Sequence, residues 1–393
     1  MVFQRLGSVL GLGKFISRAF TESFAARSYA SSGREQAWPI EAVGSRLGWD
    51  SSTNIVFPDK AANYWMTPIF FDADTELVID GQWPQARYFS FQTYTPRDRF
   101  SAATDGIRDS EITADADGAY RLRVVPTRSD KPDDATNTIV ALQDGRAGGV
   151  CWLAFRTYKP DDQAQPAGSV PLPTLTLERG DAPPRILDFA GTDTPAGGEG
   201  IADESQTSGR SLPMARKRAL GWNRPGGDKT PFPNKDAAYL ASIICYEPGQ
   251  VVVVRGLAPT YPSDAMPAEK ADVKYWSVCK FGLPSTKTIS CGSDDEVPLD
   301  GEGRYTFVVS DPRDRPANAT LADGVFWLPW GPEPTGVVGL RNIAPSDDFY
   351  PKSVQAIGPG DAVEDVLAEF CPGITQCTTE QFEAGGADGV FGR

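Results

Sequence analysis

The chain has no histidine among its 393 residues. That absence removes the commonest general base near neutral pH, every Ser-His-Asp or Cys-His arrangement and every histidine metal site. An enzyme built from this sequence has carboxylates, Lys, Tyr, Cys or a cofactor to work with. Long apolar runs are missing too. None reaches the roughly 18 residues that a membrane-spanning helix needs. Positive charge is scarce, with 38 Lys and Arg against 52 Asp and Glu and a net charge of −14. A surface of that sign disfavours contact with nucleic-acid phosphates and mainly serves solubility. There is no βαβ rhythm, no Gly-rich phosphate loop and no CxxC pair, so nucleotide folds and common zinc sites drop out.

What remains is a globular, turn-rich composition. It is 40% hydrophobic, with 39 Gly and 33 Pro, in a chain long enough for two or three domains. Residues 1–34 stand apart. Arg5, Lys14, Arg18, Arg27 and Arg34 face a single acid, Glu22, and Leu6, Val9, Leu10, Phe15, Ile16, Phe20 and Phe24 recur at helical spacing. Lys14 and Arg18 interrupt any secretory hydrophobic core. The pattern predicts an amphipathic mitochondrial or plastid transit peptide, and "ARSYASS" reads as a mitochondrial processing site near Tyr29. The alternative location is secreted or extracytoplasmic.

The rest of the chain is written twice. "FPDKAANYW" begins at Phe57 and "FPNKDAAYL" at Phe232, 175 positions later. Gly81 and Pro84 match Gly256 and Pro259 at the same offset. "ARYFSF" from Ala86 matches "VKYWSV" from Val273, and "DSEITADADGAYRLRVV" from Asp109 matches "DDEVPLDGEGRYTFVVS" from Asp294. "GGVCWLAF" from Gly148 is paired with "DGVFWLPW" from Asp323, which sets Cys151 against Phe326. Cys245 falls against Phe70, and both cysteines are expected at apolar core positions. The opening phrase reads as the entry to each copy's first strand. Pro sets the turn, Lys faces solvent, and Tyr64 and Tyr239 begin the core.

These segments alternate like strands. Phe89 and Phe91 oppose Tyr88, Ser90 and Gln92, and Tyr120, Leu122 and Val124 oppose Arg121 and Arg123. The expected fold is all-β, two tandem antiparallel β-sandwich or jelly-roll domains with few short helices. The boundaries are a first domain at 35–188, a linker at 189–230, a second domain at 231–358 and a C-terminal helix and tail at 359–393. The linker's basic cluster, Arg216, Lys217 and Arg218, with Trp222, is a candidate partner-docking point.

"ARYFSFQTY", "DDEVPLDGEGRYTFVVS", "DRPANAT" and "GVFWLPWG" together resemble a family of uncharacterised, mostly bacterial proteins, many of them exported. The similarity spans roughly 55–370. It implies a double β-sandwich chain and no established activity, so it assigns no catalytic residue.

The candidate chemistry is acidic and occurs in both copies. Asp109, Glu111, Asp115 and Asp117 correspond to Asp294, Glu296, Asp300 and Glu302. Asp109 and Glu111 are placed on one strand face. Asp115 and Asp117 flank a Gly turn, where clustered oxygens suit Ca²⁺ or simply build a hairpin. The same acids offer a glycosidase pair, which needs two carboxyls and no histidine. Cys279 with Cys291, and Cys371 with Cys377, are candidate disulfides, which suit an oxidising compartment. "NAT" at Asn318 is a glycosylation acceptor on a secretory route. The abundant Trp residues are expected in the sandwich cores. The function expected is a non-enzymatic binding or assembly protein with a protein or carbohydrate partner. The alternative is a histidine-free, carboxylate-based glycoside hydrolase.

Overall fold

The computed structural model describes residues 35–97, 100–132, 135–143, 145–161, 170–189, 220–225 and 232–392. The targeting segment and Arg216, Lys217 and Arg218 lie outside them. Contacts divide the chain into two units. Unit 1 takes residues 1–46, 61–196 and 227–235, and unit 2 takes 47–60, 197–226 and 236–393.

In unit 1 the strands run β1 (Ile40–Val43), β2 (Ala62–Asp72), β3 (Thr75–Gln82), β4 (Ala86–Arg97), β5 (Phe100–Arg108), β6 (Ala119–Val125), β7 (Thr138–Val140), β8 (Gly148–Pro160), β9 (Thr174–Arg179) and β10 (Arg185–Ile186). One sheet has the order β1-β2-β8-β4-β5 and the other β10-β9-β3-β6-β7. Unit 2 continues with β11 (Ala237–Cys245), β12 (Gln250–Leu257), β13 (Val273–Leu283), β14 (Thr288–Ser293), β15 (Arg304–Ser310), β16 (Phe326–Pro329), β17 (Thr335–Pro345) and β18 (Gly373–Thr378). Its sheets are β11-β17-β13-β14 and β16-β15-β12-β18. Two short α-helices, α1 (Val363–Leu367) and α2 (Thr379–Phe391), lie near the C-terminus.

Each unit is a β-sandwich. Among the described residues the named strands pair antiparallel except at β6·β7 and β15·β16, which are parallel edges in equivalent places. Alternation builds the cores. Phe89, Phe91, Leu153 and Phe155 of one sheet meet Leu77, Ile79, Leu122 and Val124 of the other. In unit 2, Trp276, Val278, Val338 and Leu340 meet Val252, Val254, Phe307 and Val309. Each such side chain, fully buried, contributes about 1.5–3 kcal/mol. Trp65, Trp152, Trp276 and Trp330 are buried as expected, whereas Trp83 is exposed. Arg121 and Arg123 point outward and pair with Asp80 and Glu76, exposed contacts that add little.

The duplication extends to backbone and packing detail. Phe57 and Phe232 both have positive φ, 59° and 47°, in a region that a bulky residue rarely enters. Lys159 and Ala344 share φ of 48° and 45°, and their N–H groups donate to Ala61 and Asp236 carbonyls. Gly81 and Gly256 lie directly opposite Tyr120 and Tyr305, and a Cβ at either glycine would strike the ring. Both tyrosine hydroxyls are buried without a hydrogen-bond partner, and burial pushes their pKa well up. A buried hydroxyl that makes no hydrogen bond is a net cost. Tyr120→Phe and Tyr305→Phe are therefore expected to raise stability by about 1 kcal/mol each. A urea midpoint that falls in both variants would count against this.

Four expectations change. "GGVCWLAF" lies in β8, which sits between β2 and β4. Its counterpart by sheet position is β17, between β11 and β13, and not the parallel edge β16. The Trp-rich likeness to "DGVFWLPW" comes from apolar composition alone, so Cys151 answers to Gly336 rather than Phe326. Cys151 is buried as expected, but Cys245 is half-buried and Phe70 is exposed. The C-terminal tail is not a tail. β18 takes the place beside β12 that β9 holds beside β3, and α2 packs Phe382 against Val251, Val253 and Val308. Trp222, grouped with the basic cluster as a docking point, is 7% exposed and belongs to the unit 2 core. Its indole N–H donates to the Pro372 carbonyl at 2.6 Å.

Candidate functional site

The repeated acids are placed in turns. Asp109 and Glu111 lie on a 3-10 turn at Asp109–Glu111 rather than along a strand, because Glu111 caps it by accepting the Arg108 N–H at 3.0 Å. Glu296 does the same for Ser293 N–H at 3.1 Å. Asp109 accepts from Ser110 N–H at 2.7 Å, and Asp294 from Trp276 N–H at 3.2 Å and Asp295 N–H at 2.9 Å. Asp115 accepts from the N–H groups of Asp117 and Ala119 at 3.0 and 2.8 Å. Asp300 accepts from Glu302 and Arg304 at 2.9 and 2.8 Å. Gly118 and Gly303 supply the positive φ, 79° and 76°, that each turn requires. Asp117 is exposed, and Glu302 pairs with Arg304 Nε at 3.2 Å.

The two "FP" phrases occupy a different place from the one their sequence suggests. In unit 2, Asp59 is fully buried on the outer face of the β13–β17 ladder. It is paired with the Arg341 guanidinium and accepts from Tyr275 Oη at 3.0 Å and Ser277 Oγ at 2.7 Å. Arg341 also donates to the Phe57 carbonyl at 3.1 Å and lies 5.0 Å from the Tyr239 ring centroid. Unit 1 repeats the plan with other atoms. Arg156 of β8 donates to the Phe232 carbonyl at 3.3 Å, to Gln92 Oε1 at 3.0 Å and to Tyr94 Oη. Lys235 pairs with Asp105 at 3.2 Å, while Lys60 is half-buried and desolvation lowers its pKa. Tyr64 and Tyr239 are half-buried and do not begin the core.

The central strands carry a matched bulge, between Thr93 and Tyr94 in unit 1 and between Lys280 and Phe281 in unit 2. At this position the copies diverge chemically. Thr93 is buried and its hydroxyl donates to the Val140 carbonyl. Lys280 is 0% exposed, with its Nζ donating to the Phe281 carbonyl at 2.8 Å and lying 5.1 Å from the Trp330 ring centroid. Gly336 makes room for the ammonium, since a Cβ there would overlap Nζ. Glu333 lies nearby and is itself held by Ser285 Oγ at 2.7 Å. Burial pushes the Lys280 amine down to about 7, only partly offset by the Glu333 charge. This is the one strongly poised amine among the described residues, and sequence reasoning missed it. The signal was its phase, since it shares the inward face of β13 with Trp276 and Val278.

Cys279 and Cys291 are directly opposite on β13 and β14 and form a disulfide. Cys371 and Cys377 do not pair. Both are free, Cys371 against the main core and Cys377 in the smaller cluster under α2. Burial raises the Cys371 thiol to about 11 and the Cys377 thiol as well, which leaves little thiolate. The Asn318 side-chain amide donates to the Phe382 carbonyl at 3.3 Å, so the nitrogen that a glycan would modify is tied to α2.

No helix among the described residues is long and apolar enough to cross a membrane. No family model matches the chain, and no curated protein matches it. Among solved structures it is similar to a protein from Vibrio parahaemolyticus at 12% identity, covering 89% of this chain and 98% of that one, with a TM-score of 0.42. It is also similar to an uncharacterised protein from Burkholderia cenocepacia at 14% identity, covering 94% of this chain and 88% of that one, with a TM-score of 0.55. The chain thus shares its fold, over almost its whole length, with an uncharacterised bacterial protein.

Proposed function

We propose that the chain is a non-enzymatic binding or assembly protein with a protein or carbohydrate partner, and a member of the uncharacterised family its motifs resemble. The supporting observation is the matched use of its acids. In both copies three of the four candidate carboxylates, Asp109, Glu111 and Asp115 and their counterparts Asp294, Glu296 and Asp300, accept backbone N–H groups at the same turns. A catalytic pair needs one acid and one base turned toward a substrate, and a turn motif built twice serves the fold twice. The test is incubation with a panel of oligosaccharides, following both binding by calorimetry and release of reducing ends. Binding without turnover is expected if the partner is a sugar. In-cell cross-linking of the tagged chain identifies a protein partner. Turnover that disappears in Glu111→Gln or Glu296→Gln would overturn the reading in favour of a hydrolase.

The basic amphipathic composition of residues 1–34 supports a mitochondrial address. The expected mature N-terminus lies near Tyr29, read by mass spectrometry of protein from its own cells. An intact Met1 would sink the address, and a disulfide-bearing protein recovered from the medium would establish the secreted alternative.

A further inference from the structure

We propose that Cys279, Cys291 and Asp59 form a reduction-gated Zn²⁺ site in unit 2. Both Sγ atoms and a carboxylate oxygen of Asp59 lie within 4.8 Å of one another. With Zn–S of about 2.3 Å and Zn–O of about 2.0–2.2 Å, tetrahedral ligands stand about 3.5–3.8 Å apart. The two sulfurs have to separate once their bond is opened, and the carboxylate already lies close to both. The cysteines are directly opposed partners in the β13–β14 ladder, a placement made by backbone pairing on both sides of them. The carboxylate is aimed by Tyr275 Oη and Ser277 Oγ, the kind of outer support that orients metal ligands.

The comparison of the two copies carries the proposal further. The positions equivalent to Cys279 and Cys291 are Gln92 and Gly106, a directly opposed pair on β4 and β5. The position equivalent to Asp59 is Asn234. At each of these three positions unit 2 carries a side chain that can ligate a metal more strongly than its unit 1 counterpart. Charge balance agrees. Asp59 and Arg341 neutralise each other beside the disulfide, and two thiolates with one Zn²⁺ add no net charge. A buried site tolerates both states, because neither leaves an uncompensated ion.

Opening the site takes two electrons from a dithiol reductant. The Cys279–Cys291 S–S bond breaks, each sulfur gains a proton, and the reductant leaves as its own disulfide. Zn²⁺ then displaces the two thiol protons to solvent and forms two Zn–S bonds and one Zn–O bond, with water in the fourth position.

The test uses the full chain, reduced with dithiothreitol, freed of reductant without air and titrated with Zn²⁺ or Co²⁺. Reduced protein is expected to take up one metal per chain, release two protons and give Co²⁺ spectra with thiolate charge-transfer bands. Oxidised protein is expected to take up none. The Cys279→Ser/Cys291→Ser variant, which keeps the other four cysteines, should lose the uptake. Asp59→Asn removes a direct ligand and should weaken affinity by more than the roughly 10–100-fold that loss of an outer partner costs. Equal uptake by oxidised and reduced protein overturns the proposal, as does full uptake by the double serine variant. Unchanged affinity in Asp59→Asn, with the fold verified by circular dichroism, removes Asp59 from the ligand set and overturns the three-ligand site.

Discussion

Replacing Lys280 with methionine is expected to stabilise the protein, most at acid and neutral pH and hardly at all at high pH. Lys280 is wholly buried, and desolvation pulls its amine from 10.5 to about 7. Below pH 7 the folded and unfolded chains are both protonated, and folding carries the full cost of burying an ammonium. Between 7 and 10.5 the unfolded chain holds a proton that the folded chain has lost, so wild-type stability rises with pH. Above 10.5 both states are neutral and the penalty is gone. At about 1.4 kcal/mol per unit, the shift corresponds to a cost on the order of 5 kcal/mol below pH 7. Methionine fills similar volume without the charge. Urea midpoints of wild type and Lys280→Met at pH 6, 8 and 10 should converge as pH rises. A gap that stays constant with pH would show that the lysine is not buried as a strained amine.

Removing either member of the Asp59–Arg341 pair is expected to destabilise unit 2 by about 3–5 kcal/mol, because the survivor is left as a buried charge. Asp59→Asn strips the carboxylate charge from Tyr275 and Ser277 as well. Arg341→Met frees the Phe57 carbonyl. The Asp59→Asn/Arg341→Met double variant should lose distinctly less than the sum of the singles, since it leaves no lone ion. Denaturation curves for the three variants check this. Strict additivity would mean that the two side chains do not depend on each other.

The sandwich was legible wherever one strand face is apolar. "YFSF", "YRLRV" and "RYTFVV" each assign their own in and out faces, and the structure keeps them. The Asp-x-Asp-Gly and Asp-x-Glu-Gly turns were also legible, because Gly supplies a backbone geometry that few residues tolerate. The arginine centres were not legible. Phe57 and Arg341 are 284 positions apart, and no local pattern announces a bond over that distance. Nor does a lysine in an apolar phase declare itself, because strand alternation tolerates one exception without breaking. The mistaken pairing of β8 with β16 has a similar cause. Trp-rich apolar strands resemble one another more than they resemble "GVVGLRNIAP", whose two glycines hide a central strand.

The partition of the chain has a consequence for anyone who wishes to divide it. The stretch 47–60 precedes the first full-length strand of unit 1 yet belongs to unit 2, and 227–235 precedes the first strand of unit 2 yet belongs to unit 1. A fragment beginning at Asp236 would enclose Arg341 without Asp59, and a fragment ending at the linker would enclose Arg156 without the Phe232 carbonyl. The repeat is therefore interleaved rather than serial. No single cut releases both sandwiches whole, because a piece ending at 235 keeps unit 1 but takes 47–60 away from unit 2, which needs the chain from 47 to 393.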